Sequence, residues 1–211
     1  MTPVAKAGRS GRRSGESGTS DAILEAARAQ FATRGYQGAT IRAIAADAGV
    51  DPALVHHFYG TKDALFAAAM RMPVVPSEAI AAALASAPQA SLGTHLVKSA
   101  LTLWESAGVR EAFLGLLRSA VASEEAMALL REFVADSILP TIARAPGLAE
   151  FSRAEADYRV SLVASQILGL ALTRLVIGLP AIAGASVDEL AATVGPTVDR
   201  YLTGDAAVPG D

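Results

Sequence analysis

The segment from Thr40 to Tyr59 limits the possible folds more than any other part of the chain. Behind Thr40, a natural helix cap, Ile41, Ile44, Ala45 and Ala48 recur at helical spacing, and Gly49 ends the stripe. After a turn of about three residues, Asp51 and Pro52 supply a cap and a first-turn proline for another short helix, predicted to run to about Tyr59. Two short helices joined by a glycine-containing turn of that length make a helix-turn-helix. Val55 and Tyr59, four residues apart, are expected to face a core beside Val50, which leaves Pro52, Ala53 and His56 outward.

The flanking residues extend the helical pattern. Ser20 and Asp21 open a first helix with Ile23, Leu24, Ala27 and Phe31 inward, and Gly35 is its natural stop. Lys62 to Met72 gives a fourth helix with Leu65, Phe66 and Ala69 inward. Proline and valine at 73–76 break the pattern, so the domain boundary is placed there. Beyond it, helices are predicted at about 77–87, 92–107, 109–122, 124–144, 152–179 and 187–202. Strand alternation and internal repeats are lacking. The chain is 52% hydrophobic but only 5% aromatic, and a core built on Ala and Leu favours helices. The expected fold is all-α, with residues 20–72 as one domain, 77–204 as a second, and 205–211 as a tail.

Charge is distributed unevenly. Residues 1–72 hold nine Lys/Arg against six Asp/Glu, and the remainder nine against fifteen. Residues 1–19 are rich in Gly and Ser with Lys6, Arg9, Arg12 and Arg13, and read as a disordered basic arm. That arm lacks the apolar run of a signal peptide. With no cysteine, disulfides, thiol nucleophiles and Cys-ligated zinc are excluded, and a cytoplasmic location is the default.

The stretch "ILEAARAQFATRGYQGATIRAIAADAGVDPALVHHFYGTKDALFAAAM" resembles the N-terminal signature of the TetR (tetracycline-repressor-like) family. Gly35 with Tyr36, the Thr40 cap, "IA..AGV" and the "HFYGTK" ending at Lys62 fall where that signature places them. "SQILGLALTRLVIGLPAIAGASVDELAATVGPTVDRYL" is similar to the last two helices of one common ligand domain of the family. The resemblance implies a three-helix DNA-binding head, a connecting fourth helix, and a helical body that binds a small effector and dimerises. Two positions depart from the pattern: Leu54 replaces a small hydroxyl residue, and His56 replaces a tyrosine.

On that reading Asp51, Pro52, Ala53, Leu54, His56, His57 and Phe58 belong to the helix that enters the major groove. Pro52 and Ala53 offer apolar contact, for instance to a thymine methyl, while His56 and His57 can donate to a phosphate or a base acceptor. Thr40, Ile41 and Arg42 begin the second helix, where exposed amides and a hydroxyl suit a phosphate. Lys62 is expected to clamp the opposite backbone, and the arm arginines to add nonspecific attraction. A two-fold dimer would set two reading helices about 34–36 Å apart, one turn of DNA, or further if it spans more sequence.

In the body, Leu101, Trp104, Phe113, Leu117, Met127, Phe133 and Gln166 are candidates to line an apolar effector cavity, with Arg118 and His95 as further polar handles. Most of them read equally well as plain core. The apolar run around Val160–Thr173 is too short to cross a membrane, and Arg174 beyond it would cost roughly 2.5–3.5 kcal/mol on insertion scales. It is expected instead to form a dimer interface with Gly169, Arg174 and Gly178, joined by Val194 and Val198 of the last helix. The partners implied are double-stranded operator DNA, a small effector and a second copy of the chain. The function implied is a repressor released from its operator by an apolar effector.

Other classes fare less well. Neighbouring histidines on a helix point about 100° apart, whereas chelating pairs sit three or four residues apart. With His95 the only other histidine, His56 and His57 make a poor metal site. An exposed pair with no role is the plain alternative. "GxSxG", "HExxH" and the phosphate-cradling "GxxxxGK[ST]" are absent, so no enzyme and no cofactor is expected. An adaptor dimer whose head no longer binds DNA is harder to set aside, although Thr40, Arg42 and Lys62 speak against it.

Overall fold

The structure, a computed structural model, describes residues 12–88 and 91–204; Lys6, Arg9 and the 205–211 tail lie outside them. Every regular element among the described residues is helical, as expected. Helix α1 (Arg12–Gly38) begins earlier than predicted, so residues 12–19 are helical rather than part of a disordered arm. Of Arg12 and Arg13 only the backbone is described. The predicted stop appears as an interruption inside α1, where Gly35 takes φ 70 and ψ 179, a region essentially reserved for glycine.

Helices α2 (Ile41–Asp47) and α3 (Pro52–Tyr59) follow with their predicted caps: Thr40 accepts from the Ala43 amide at 3.1 Å and Asp51 from the Ala53 amide at 2.7 Å. Gly49 makes the turn between them at φ 67. Helix α4 (Lys62–Ala69) is capped by Thr61 and ends earlier than expected. The head core joins Ile23, Ala27, Phe31, Tyr36, Ile44, Val55, Leu65 and Phe66, all buried.

The body comprises α5 (Pro76–Ser86), α6 (Leu92–Glu105), α7 (Ala107–Ala122), α8 (Glu124–Phe133), α9 (Leu139–Ile142), α10 (Arg153–Ala171), α11 (Pro180–Ala183) and α12 (Val187–Thr203). A π-helical turn, Val134–Ile138, joins α8 to α9, and another, Leu172–Ile177, extends α10. The predicted 124–144 helix is therefore one rod with a wider turn inside it. Helices α6 and α12 approach closely. A Cβ on Gly93 would lie 2.3 Å from the Asp199 amide nitrogen, and one on Gly195 would lie 2.4 Å from the Thr94 Cα. Asp199 adds polar stitching, accepting from the Gly93 amide at 2.6 Å and the Thr94 hydroxyl at 3.2 Å. Arg159, 2% exposed, pairs with Glu155 and donates to the Arg200, Tyr201 and Gly204 carbonyls, closing the end of α12.

Candidate nucleic-acid interface

The outward side of the head is small and specific in composition. Thr40, Arg42, Asp51, Ala53, His56 and His57 are exposed, and Pro52 is half-buried, so the predicted reading side of α3 does face solvent. Val55, 1% exposed, anchors α3 from below, and the Tyr59 hydroxyl reaches back to the Ser20 hydroxyl at 2.8 Å. Three expected contact residues are less available. Ile41 and Phe58 pack against the head core, and Leu54 is half-buried, because apolar side chains beside a core gain more by burial than by facing water.

Lys62 departs most from expectation. Its ammonium lies 4.6 Å from the centre of the Tyr36 ring and donates to the Gln37 carbonyl at 3.4 Å. It thus lies against the end of α1, held by contacts within the head. Its ammonium also feels the negative charges of Asp136, Asp63 and Glu132. Burial nonetheless outweighs those charges and lowers the lysine below its ordinary value.

Beneath that lysine lies a polar latch that the sequence did not announce. Asp63, in the first turn of α4, accepts hydrogen bonds from the Tyr36 hydroxyl, from Ser77 of α5 at 2.7 Å and from Ser137 of the π turn at 2.7 Å. Burial alone would raise its carboxyl, but those three donors and Lys62 hold it below the usual carboxylate range. The same burial, followed by the bond to Asp63, pushes the Tyr36 phenol up. Close by, Glu132 accepts from the Gln37 amide at 3.1 Å, and the Gln37 side chain donates to Asp136 at 3.2 Å. Head and body are therefore pinned together through three carboxylates, Asp63 of the head and Glu132 and Asp136 of the body. The available signal was the juxtaposition of Lys62 and Asp63 at a helix start, which also suits ordinary capping.

Residues 23–69 match the family described as bacterial regulatory proteins, tetR family, and residues 90–202 match the tetracyclin repressor-like C-terminal domain. The second match alone covers more than half of the chain. The chain belongs to the TetR family. It is a DNA-binding transcriptional regulator. A solved TetR-family regulator from Streptomyces coelicolor A3 is 36% identical, the similarity covering 92% of this chain and 99% of that one, with TM-score 0.47. A transcriptional regulator from Rhodococcus sp. Rha1 is similar at 25% identity over 90% of this chain and 99% of its own, with TM-score 0.45. The HTH-type transcriptional regulator BetI of Brucella anthropi is 45% identical over 49 residues, 23% of this chain and 25% of BetI. The chain thus matches about a quarter of that curated relative's length.

Within this TetR-family body, the expected effector residues do not gather. Leu101 is fully buried in the body core, Met127 is exposed, and Phe133 belongs to the head: its ring lies 4.4 Å from Phe66 and 5.4 Å from Tyr36. Trp104 and Phe113 do meet, at 5.4 Å, and Leu117 and Gln166 are half-buried. Arg118 is exposed, and His95 is spoken for by Ser86 at 3.1 Å. A pocket of about 560 Å³ opens elsewhere, on the seam between α1, α4 and α8, lined by Arg28, Ala69, Met70, Arg71, Ala126 and Leu129 among others.

The expected dimer residues also divide. Val198 is completely buried against the chain's own core, and Val194 packs on it, because α12 turns its apolar stripe onto α6. Arg174 serves its own subunit: it donates to the Ile182 and Ala185 carbonyls at 2.6 and 2.8 Å and pairs with Glu105. Gly169 is half-buried and Gly178 exposed. What remains uncovered is apolar: Tyr158, Leu168, Val176, Ile177 and Leu179 stay exposed along α10 and its extension. The helix Arg153–Ile177 is long and apolar enough to cross a membrane by length and composition alone.

Proposed function

We propose that the chain is a homodimeric repressor that grips a two-fold operator through α2 and α3 and releases it when a small apolar effector binds. The carrying observation is the exposed set Arg42, Ala53, His56 and His57 on a capped helix pair whose foundation is pinned to the body through Asp63. Thr40 and Arg42 hold phosphates at the start of α2, and α3 reads bases. The effector enters the seam pocket, whose volume suits a small ligand. Because that pocket touches α1 and α4 on one side and α8 on the other, its filling displaces α8 and with it Ser137. The equilibrium then moves away from the head spacing that the operator requires.

The second copy covers the exposed side of α10, with its apolar residues meeting their equivalents across a two-fold axis. The setting is the cytoplasm, where operator DNA is available.

Anisotropy titration of DNA from beside the chain's own coding region tests this. Tight binding with a steep negative salt slope is expected, since phosphate contacts release counterions. It should be weakened by one or more members of an apolar ligand panel. No binding at low salt would favour a DNA-silent adaptor. Binding that no ligand alters, with Leu129→Trp (which fills the pocket) also without effect, would remove the effector from the proposal. Sedimentation should give a dimer. A monomer that floats with lipid vesicles would assign the α10 face to a membrane instead.

A further inference from the structure

The last turn of α3 fixes the chemistry of exposed His56. His56 Nδ1 lies 2.9 Å from the carbonyl oxygen of Gly60. A carbonyl oxygen only accepts, so Nδ1 must carry the proton. The backbone holds that oxygen in place. Gly60 takes φ 71 and ψ −70, and the Thr61 amide donates to the Tyr59 carbonyl at 2.8 Å. That is a γ-turn of the positive-φ form, strained for any residue with a side chain. The Gly60 amide meanwhile donates to the His56 carbonyl at 2.8 Å. His56 and Gly60 therefore exchange two hydrogen bonds, and the imidazole is clamped to the end of its own helix. A neutral ring protonated at Nδ1 has a bare lone pair at Nε2, on a residue that is exposed on the reading side of α3.

We infer that His56 is a specificity-determining residue that selects an exocyclic amino group in the major groove. Adenine N6 and cytosine N4 donate there, whereas guanine O6 and N7 and thymine O4 accept. A lone pair facing another acceptor leaves both unsatisfied and repels it. Phosphate oxygens accept as well, so neutral His56 is unsuited to the phosphate contact that its residue type first suggests. Each base pair shows its amino group on only one strand. A single fixed acceptor therefore separates A or C from G or T on the strand it faces, without separating A from C. Gly60 is the positioning residue, because its carbonyl sets the tautomer. Exposed Arg42, which can only donate, remains for phosphate.

This inference rests on the DNA-reading assignment, and one experiment judges the two separately. Binding sites are selected from a randomised duplex pool at pH 8, above the range in which imidazoles ordinarily titrate. Wild type, His56→Lys (donors only) and His56→Gln (one donor side, one acceptor side) are compared. The wild type should enrich a two-fold site with one position per half-site favouring A or C by about tenfold. His56→Lys should turn that position toward G or T, His56→Gln should narrow it to A, whose N6 and N7 match the amide's acceptor and donor, and the other positions should stay as they were. In parallel, two-bond ¹⁵N–¹H correlation of the free protein should find the ring proton on Nδ1. A two-fold site with no position separating amino from keto bases overturns the inference while leaving the DNA reader intact. So does a His56→Lys profile identical to wild type, or a ring proton on Nε2. A wild type that enriches no sequence overturns the DNA reader and the inference together.

Discussion

Replacing Asp63 by alanine removes, in one step, the acceptor shared by three hydroxyls. Tyr36, Ser77 and Ser137 are 5%, 7% and 4% exposed, so water cannot readily substitute. A buried hydroxyl left without a partner costs about 1–3 kcal/mol. Straight addition overstates the loss, because a serine can turn to a helix carbonyl one turn back, as Thr141 already does toward Ser137 at 2.8 Å. The carboxylate is itself only half-buried, which weakens each bond to it. The expected loss for Asp63→Ala is about 2–4 kcal/mol, and about half that for Asp63→Asn, which keeps one carbonyl acceptor. Urea denaturation at pH 7 reads it as a lowered midpoint. A double-mutant cycle with Ser137→Ala should show coupling of about 1 kcal/mol. Acid supplies an independent check. The carboxyl is held below its ordinary value of 3.8, so its stabilisation is complete above that pH and fades as pH falls through the folded value. The gap between wild type and variant should therefore be flat near neutrality and shrink below about pH 4. An Asp63→Ala protein within about 0.5 kcal/mol of wild type, strict additivity with Ser137→Ala, or a gap that widens in acid would refute the latch.

Gly35→Ala should cost about 1–3 kcal/mol for its φ 70, ψ 179 backbone. Glu132→Ala should not rescue it, although Glu132 is the nearest neighbour of the added Cβ; thermal unfolding of the single and double variants separates strain from collision. Gly195→Ala should be costlier, about 3 kcal/mol or more, because its Cβ meets the Thr94 backbone, which cannot swing aside; an unchanged midpoint would contradict the packing of α6 on α12. Leu168→Arg, on the exposed side of α10, should convert the proposed dimer to monomer in sedimentation while circular dichroism is unchanged, and persistence of a dimer would place the interface elsewhere.

The head was legible because its signals are local. Thr40, Gly49, Asp51, Pro52 and Gly35 each dictate a backbone conformation through their own chemistry, and each does so where expected. What escaped was partnership between distant elements. Periodicity shows that α12 has an apolar stripe at Leu190, Val194, Val198 and Leu202, but not what covers it. The deciding feature, close approach at Gly93 and Gly195, joins two helices about a hundred residues apart in sequence. The same holds for Phe133, whose ring completes a cluster formed by Phe31, Tyr36 and Phe66 in the head. The contacts of Lys62 escaped for a related reason: its acidic neighbours Glu132 and Asp136 come from a body helix that no spacing rule links to it. The early start of α1 runs through a Gly- and Ser-rich stretch whose intrinsic propensity argues against helix.

The rod formed by α8, the π turn and α9 has a consequence for modularity. Leu129 and Phe133, before the wide turn, pack into the head core; Leu139 and Ile142, after it, pack into the body core; Ile138 touches both. One piece of secondary structure is thus shared masonry between two rooms. A fragment ending near the domain boundary expected at 73–76 would carry all of the exposed α2–α3 side and still lack the aromatic ring that closes its interior. Grafting this head onto another regulator's body would therefore succeed only where the recipient supplies an aromatic side chain at the same depth. The reading unit and the folding unit of this protein are not the same length.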